Sequence, residues 1–334
     1  MIRKTEMLAM TILLVAVCCS LALGQAPPPP TILTIDVENV VLYQQDTSDL
    51  SKFATDPNLT TAVPPRNFFL RVDIGDIVAV NGQPAKGIFT RNVRFLGLTT
   101  APNPGQAIAD TVRNAVNGDT FEIMKSDGTP IGTIVSYGMT GGSPPPGAPL
   151  SVTRDNVAIT GGTGAFLGAR GMWGQSVISV RLASITEDPA NRRRNGGGRL
   201  KCVLQVIPLF QPQIVTTAAG PAVTHSSDFS LVTASKPATA GEVLSAFVTG
   251  LGATHPGVDP GQPFPASPPA AVNSPVDVTV NGKPAEVLAA VGYPGAVDGY
   301  QVNFRMPSDT AKGVATIQVS AAWIAGTPVN IAVQ

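Results

Sequence analysis

Apolar and polar residues alternate through much of this chain. In Arg66 to Ile74, the residues Phe68, Leu70, Val72 and Ile74 share one face of an extended segment, and Asn67, Phe69, Arg71 and Asp73 share the other. The same period of two predicts a first strand over Thr31 to Leu42 and strands over Ile77 to Val80 and Gly87 to Leu98, the last two joined by an Asn81-Gly82 turn. Asn117-Gly118, Phe121 to Lys125, Asp127-Gly128 and Ile131 to Tyr137 mark the clearest hairpin. Val157 to Thr160, Val177 to Ile185 and Arg199 to Leu209 read as further strands. Between them, 44–65 reads as a polar surface excursion, 102–117 as a short helix or irregular crossover, and 141–149 as a Pro/Gly loop.

The run Thr160-Gly161-Gly162-Thr163-Gly164-Ala165-Phe166, followed by Ala169-Arg170-Gly171, admits two readings. A glycine turn after a strand can cradle a dinucleotide, but only if a helix follows to hold the pyrophosphate. Here Gly168, Gly171 and Gly174 interrupt any helix, and Ser176 to Leu182 alternates as a strand does. The other reading is a glycine-rich connection in an antiparallel barrel, with Gly161, Gly162 and Gly164 as turn residues permitting positive φ and sharp bends. This run resembles the signature of the dirigent and allene oxide cyclase barrel superfamily, and the resemblance covers about residues 30 to 210.

Beyond a linker at 211–221, residues 222–334 read as a second all-β unit, an immunoglobulin-like β-sandwich built of short strands between turn signals. Gly241 to Gly252, Val276 to Val287, Gly299 to Arg305 and Pro328 to Val333 carry the pattern. Together these segments resemble a C-terminal domain of secreted bacterial proteins, similar to the immunoglobulin-like IPT/TIG class. Such domains act as spacers or binding modules. The expected architecture is therefore an antiparallel β-barrel at 31–210 followed by the sandwich.

Composition agrees with all-β architecture: 13% of the 334 residues are charged, and there are 34 Gly and 31 Pro. Twenty-two basic and 22 acidic residues balance, which argues against a dedicated nucleic-acid binder. Arg3 and Lys4, an apolar run from Leu8 to Leu23 and the small-residue site Ala22-Leu23-Gly24 read as a signal peptide over 1–24, so the expected location is secreted or extracytoplasmic. Cleavage leaves no membrane span in this reading and removes Cys18 and Cys19. Cys202 then stands alone in an apolar strand, excluding an intramolecular disulfide and suggesting a buried small hydrophobe. Asn58-Leu59-Thr60 fits a glycosylation pattern too short to carry weight.

Candidate chemistry is sparse. The two histidines, His225 and His255, both lie in the second unit and read as surface or turn residues, so neither a zinc centre nor a histidine-dependent triad is expected in the barrel, and no cofactor is expected. A small barrel can hold one ligand, oriented by a few polar groups. By strand position the candidates are Arg71, Asp73, Arg94, Glu122, Tyr137 and Arg170, with Arg170 alternatively pinning the adjacent turn. Arg192 to Arg194 read as a solvated hairpin tip in preference to a polyanion grip.

In allene oxide cyclases the resemblance implies a hydrophobic cavity that folds an unsaturated fatty-acid epoxide, and in dirigent proteins it implies acids with an arginine or tyrosine steering a coupling reaction. Many coupling-type dirigents carry an acid where this chain has Ala165. The favoured expectation is a binding or interaction protein whose barrel holds a small hydrophobic ligand, with a protein or polysaccharide partner at the cell surface. The alternative is an isomerase, cyclase or coupling-guide enzyme acting on a small hydrophobic substrate in the barrel.

Overall fold

The computed structural model describes residues 30–44, 70–95, 115–140 and 154–334. The leader at 1–24, the excursion at 45–65 with its Asn58 sequon, most of the crossover expected at 102–117 and the loop at 141–149 lie outside the described residues; the last three residues of that expected crossover, Ala115 to Asn117, are instead strand.

Nine strands build the first unit: β1 (Thr31–Gln44), β2 (Leu70–Val80), β3 (Gln83–Phe95), β4 (Ala115–Lys125), β5 (Pro130–Thr140), β6 (Arg154–Gly164), β7 (Arg170–Ser179), β8 (Arg181–Ser184) and β9 (Gly198–Ile207). Each of β1 to β6 pairs antiparallel with the next, β7 pairs with β9, and β9 returns to β1. The result is a closed eight-strand barrel. The remaining strand, β8, continues the path of β7 and lies parallel to the far end of β1, at Val41 to Gln44, where β9 no longer reaches. Closure removes the free edges that an open sheet of these strands would expose.

Local sequence explains the turns at one end. Asn81 and Gly82 both take positive φ, 50° and 76°, the geometry of a two-residue turn that suits the right-handed strand twist. Gly128 has φ 95° and the Thr129 amide donates to the Asp127 carboxylate at 2.8 Å. In the glycine run the structure differs from the expected bend. Gly161 and Gly162 are ladder residues of β6, opposite Val135 and Ile134, and neither has positive φ. The turn comes later, with positive φ at Gly164 (60°) and Gly168 (69°). Gly162 is required for a different reason: a side chain there would meet the Phe166 carbonyl and lie 2.6 Å from the Thr133 carbonyl.

Inside the barrel, Phe89, Phe121 and Trp173 form an aromatic core with ring centroids 5.0 to 6.0 Å apart, surrounded by Leu33, Ile77, Ile134 and Leu204. Cys202 is buried in the same core. An eight-strand barrel is about as wide as its side chains can fill, and at this level they fill it.

The excursion between β8 and β9 folds back on the barrel's outer wall instead of projecting into solvent. Asp188 caps a short 3-10 turn at Pro189–Asn191, and Arg192 and Arg193 both bind the Asp76 carboxylate of β2, which also accepts from Asn39. The expected solvated hairpin tip is therefore a clamp: Arg192 is buried, while Arg194 stays exposed.

Residues beyond Ile207 form a curled sheet of short strands: β10 (Gln213–Ile214), β13 (Val223–His225), β14 (Val243–Thr249), β15 (Thr254–His255), β16 (Ala271–Val272), β17 (Val276–Val280), β18 (Lys283–Gly292), β19 (Gly299–Arg305), β20 (Gly313–Ala321), β21 (Ile324–Ala325) and β22 (Val329–Val333). The pair β11 (Thr216–Thr217) and β12 (Gly220–Pro221) stands beside it. Much of the segment expected as a linker is thus strand, and Ile214 is buried in the second core with Val248, Val302, Phe304 and Ile317. The β20–β21 turn reaches the barrel: Ala322 and Ile324 join its core, and the Trp323 indole donates to Gln83 at 3.3 Å.

Candidate functional site

Cross-strand register stacks the lumen of β2 to β5 in layers, because inward-facing residues recur at every second position. Ile77, Gly87 and Ile123 form the lowest of these, followed by Gly75, Phe89, Phe121 and Ile134. The next layer is polar throughout: Asp73, Arg91, Asp119 and Ser136 sit opposite one another on four consecutive strands. Above it lie Arg71, Val93, Asn117 and Gly138. This upper end is where β1, β3 and β5 finish and β2, β4 and β6 begin, so the long connections leave from it.

Hydrogen bonds tie the polar layer together across the strands. The Arg91 Nε donates to Asp119 Oδ1 at 2.6 Å, with side-chain exposures of 2% and 0%, and the guanidinium stands 5.0 Å from the Trp173 ring centroid. Ser136 donates to Asp119 Oδ2 at 2.7 Å and accepts from the Trp173 indole at 2.7 Å. A buried ion pair is held by such geometry and by the extra hydrogen bonds, since desolvation costs several kcal/mol per ion, roughly what the pairing returns. Arg71 grips Asp73 with two bonds, at 2.7 and 3.0 Å. Burial pushes the Asp73 carboxyl above its ordinary value, although Arg71 and Arg91 pull it back.

Asn117 is different. It is 1% exposed and faces the lumen, one layer nearer the mouth than Asp119, and its Oδ1 has no hydrogen-bond partner. A buried amide carbonyl left unbonded costs about 1–3 kcal/mol.

Of the residues singled out from sequence, Arg71 and Asp73 meet at this site. Arg94, Glu122 and Tyr137 lie on the outer wall, exposed, because each falls one position out of step with the lumen-facing series. Arg170 is exposed at the opposite end and donates to the Ala169 and Gly168 carbonyls at 2.9 and 3.3 Å, so it pins the turn. Sequence reasoning missed Arg91, Asp119 and Ser136, and it read Asn117 with Gly118 as a hairpin signal, whereas both are ladder residues within β4. The signal was present in parity: Asn117 and Asp119 keep step with Phe121 and Ile123, as Arg91 does with Phe89.

A cleft of about 780 Å³ between the barrel's lower turn and the second unit is lined by Ala165, Leu209, Phe210, Leu251, Tyr300 and Ile324. The Tyr300 phenol is already committed, donating to the Gly252 carbonyl at 2.6 Å, and burial with the nearby Asp298 pushes its pKa well up. His225, expected at the surface, is instead buried and lies 2.5 Å from Glu242, which it ties to β13. Burial works to raise Glu242, but His225 and Thr239 outweigh it and hold the carboxyl below its ordinary value. Among the described residues no group of His, Cys, Asp and Glu is arranged to hold a metal ion, and no helix is long and apolar enough to cross a membrane.

No family model matches the chain, and searches of curated proteins and of solved structures likewise return no match.

Proposed function

We propose that this is a secreted or cell-envelope binding protein whose barrel mouth takes one small, mainly apolar ligand carrying a hydroxyl or N–H donor. The observation that carries this is Asn117, whose buried carbonyl faces the lumen unbonded beside a layer of matched charges. A ligand donor there would satisfy it. Phe89, Phe121 and Trp173 fill the lumen below, so the ligand sits above the polar layer, not within the barrel's middle. In this reading the barrel is of the dirigent and allene oxide cyclase kind, and the second unit is an immunoglobulin-like module of the IPT/TIG class acting as a spacer or partner-binding element. No cofactor is invoked.

The test is native mass spectrometry of the purified protein, with extraction and identification of whatever it carries. A reproducible passenger bound by the native chain and lost from Asn117→Leu supports the proposal. An empty native protein that takes up no hydroxylated apolar compound from a mixed library overturns it.

One observation favours a second reading, an isomerase or coupling-guide enzyme. Asp73, with its carboxyl raised by burial and held by Arg71, lies next to Asn117's layer and could exchange a proton with a bound substrate. Conversion of the identified passenger by the native protein but not by Asp73→Asn, with binding retained, would decide for it.

A further inference from the structure

The cleft of about 780 Å³ between the barrel's lower turn and the second unit is within the size range of small-molecule sites. On the barrel side, Leu167 belongs to the turn after β6, and Leu209 and Phe210 follow β9. Across from them stand Leu251 and Tyr300 of the second unit. The β20–β21 turn joins the two walls: Ala322 and Ile324 are buried in the barrel core, and Ile324 also lines the cleft. Leu167, Leu209 and Phe210 are 57%, 56% and 62% exposed. Single exposed apolar side chains are ordinary, but three lining one cleft mark a binding surface.

The cleft carries charge of one sign. Its lining includes no lysine, arginine or histidine, and Asp298 supplies its one carboxylate. The loop before Asp298 is tied down: the Gly295 amide donates to the Phe264 carbonyl and the Phe264 amide to the Ala296 carbonyl, each at 2.9 Å. Asp298 itself takes φ 52°, a conformation that aspartate and asparagine adopt more readily than most residues. Its carboxylate lies against the Tyr300 hydroxyl. A phenol has one hydrogen to give, and Tyr300 donates it to the Gly252 carbonyl at 2.6 Å. Asp298 is thereby left short of a donor, and among the described residues no cation pairs with it.

We propose that this cleft binds a small amphiphilic cation of the alkylammonium kind, its N–H donors on Asp298 and its apolar body on Leu167, Leu209 and Phe210. An ammonium brings the missing donors and the opposite charge together. An anionic amphiphile would bring a further acceptor to walls with no cation to answer it. The site lies at the end of the barrel opposite Asn117 and is independent of the ligand proposed there.

Isothermal titration calorimetry of the purified protein at about pH 7, where an alkylamine is protonated, tests this with octylamine, octanoate and octanol. Octylamine should bind with a Kd of roughly 1 mM or tighter, and octanoate at least about tenfold more weakly. Asp298→Asn tolerates the same backbone and should weaken octylamine about fivefold while leaving octanol unchanged. Phe210→Ser should weaken octylamine and octanol alike. Asn117→Leu should leave octylamine binding as it is. No octylamine binding at millimolar concentration, octanoate binding as tightly, or an affinity untouched by Asp298→Asn would each overturn the proposal. Loss of octylamine binding in Asn117→Leu would place the amine at the barrel mouth and overturn it as well.

Discussion

Replacing Arg91 with Met tests whether the polar layer is a matched unit. In the native barrel the Arg91 guanidinium bonds Asp119 at 2.6 Å in a fully buried setting and lies over the Trp173 ring. Methionine fills much of the aliphatic volume but deprives Asp119 of the Arg91 charge, leaving the Ser136 hydroxyl at 2.7 Å on its other oxygen. Removing one member of a buried pair costs about 3–5 kcal/mol, because the remaining charge stays desolvated. Against a domain stability of about 5–15 kcal/mol, that brings the variant close to unfolding at ambient temperature. The double variant Arg91→Met/Asp119→Leu removes both charges and should recover most of the loss, with a coupling energy of at least about 2 kcal/mol. Urea unfolding followed by near-ultraviolet circular dichroism measures all four corners of the cycle, and Trp173, packed against the Arg91 guanidinium, supplies part of the signal. A single variant costing under about 1 kcal/mol, or a double variant as unstable as the sum of its parts, would refute a matched buried layer.

The two acids of β2 should respond to pH in opposite senses. Asp73 is raised by burial, so its contribution to stability is complete below the unfolded value near pH 4 and is lost as pH rises through its native value; Asp73→Asn should therefore gain on the native protein between about pH 4 and 7. Burial also works to raise Asp76, but Arg193, Asn39 and Arg192 outweigh it and hold it low; its contribution is present above about pH 4 and fades as pH falls through its native value, so Asp76→Asn should cost most near pH 7. Urea midpoints across that range check both, and parallel trends for the two variants would contradict the opposed environments. Gly162→Ala should cost about 1–3 kcal/mol because its methyl meets two carbonyls, whereas Gly161→Ala, with only Val135 Cγ2 at 3.5 Å, should stay within about 0.5 kcal/mol. Equal thermal midpoints for these two variants would remove the steric account.

The period-two pattern located β2 to β5 and their turns because strand alternation and Asn-Gly chemistry are local, and local signals survive in a single sequence. The facing of those strands was not local. Alternation separated Arg71 and Asp73 from Leu70, Val72 and Ile74, but which set enters a closed lumen depends on the curvature of all eight strands, and here the polar set enters near the mouth. Glu122 and Tyr137 were candidates by position along the chain, although Phe121 and Ile123 already claimed the inward face beside Glu122. Long-range pairings were equally hidden. Nothing near Arg192 in sequence announces Asp76, more than a hundred residues earlier, because β1 must close against β2 and β9 before the two can meet.

That difference also explains why the site became readable only with the barrel closed. Asp73, Arg91, Asp119 and Ser136 are spread over 64 positions of chain, and none belongs to a motif. Register alone makes them one layer. Within that layer and the one above it, the charges are answered by named partners while the Asn117 carbonyl is not. Had the lumen been selected only for packing, an aliphatic residue such as Val93, which occupies the neighbouring position, would serve at 117 with no buried amide to satisfy. An amide kept at that position, at the end of the barrel from which the long connections leave, is the group that the proposed ligand's donor would satisfy.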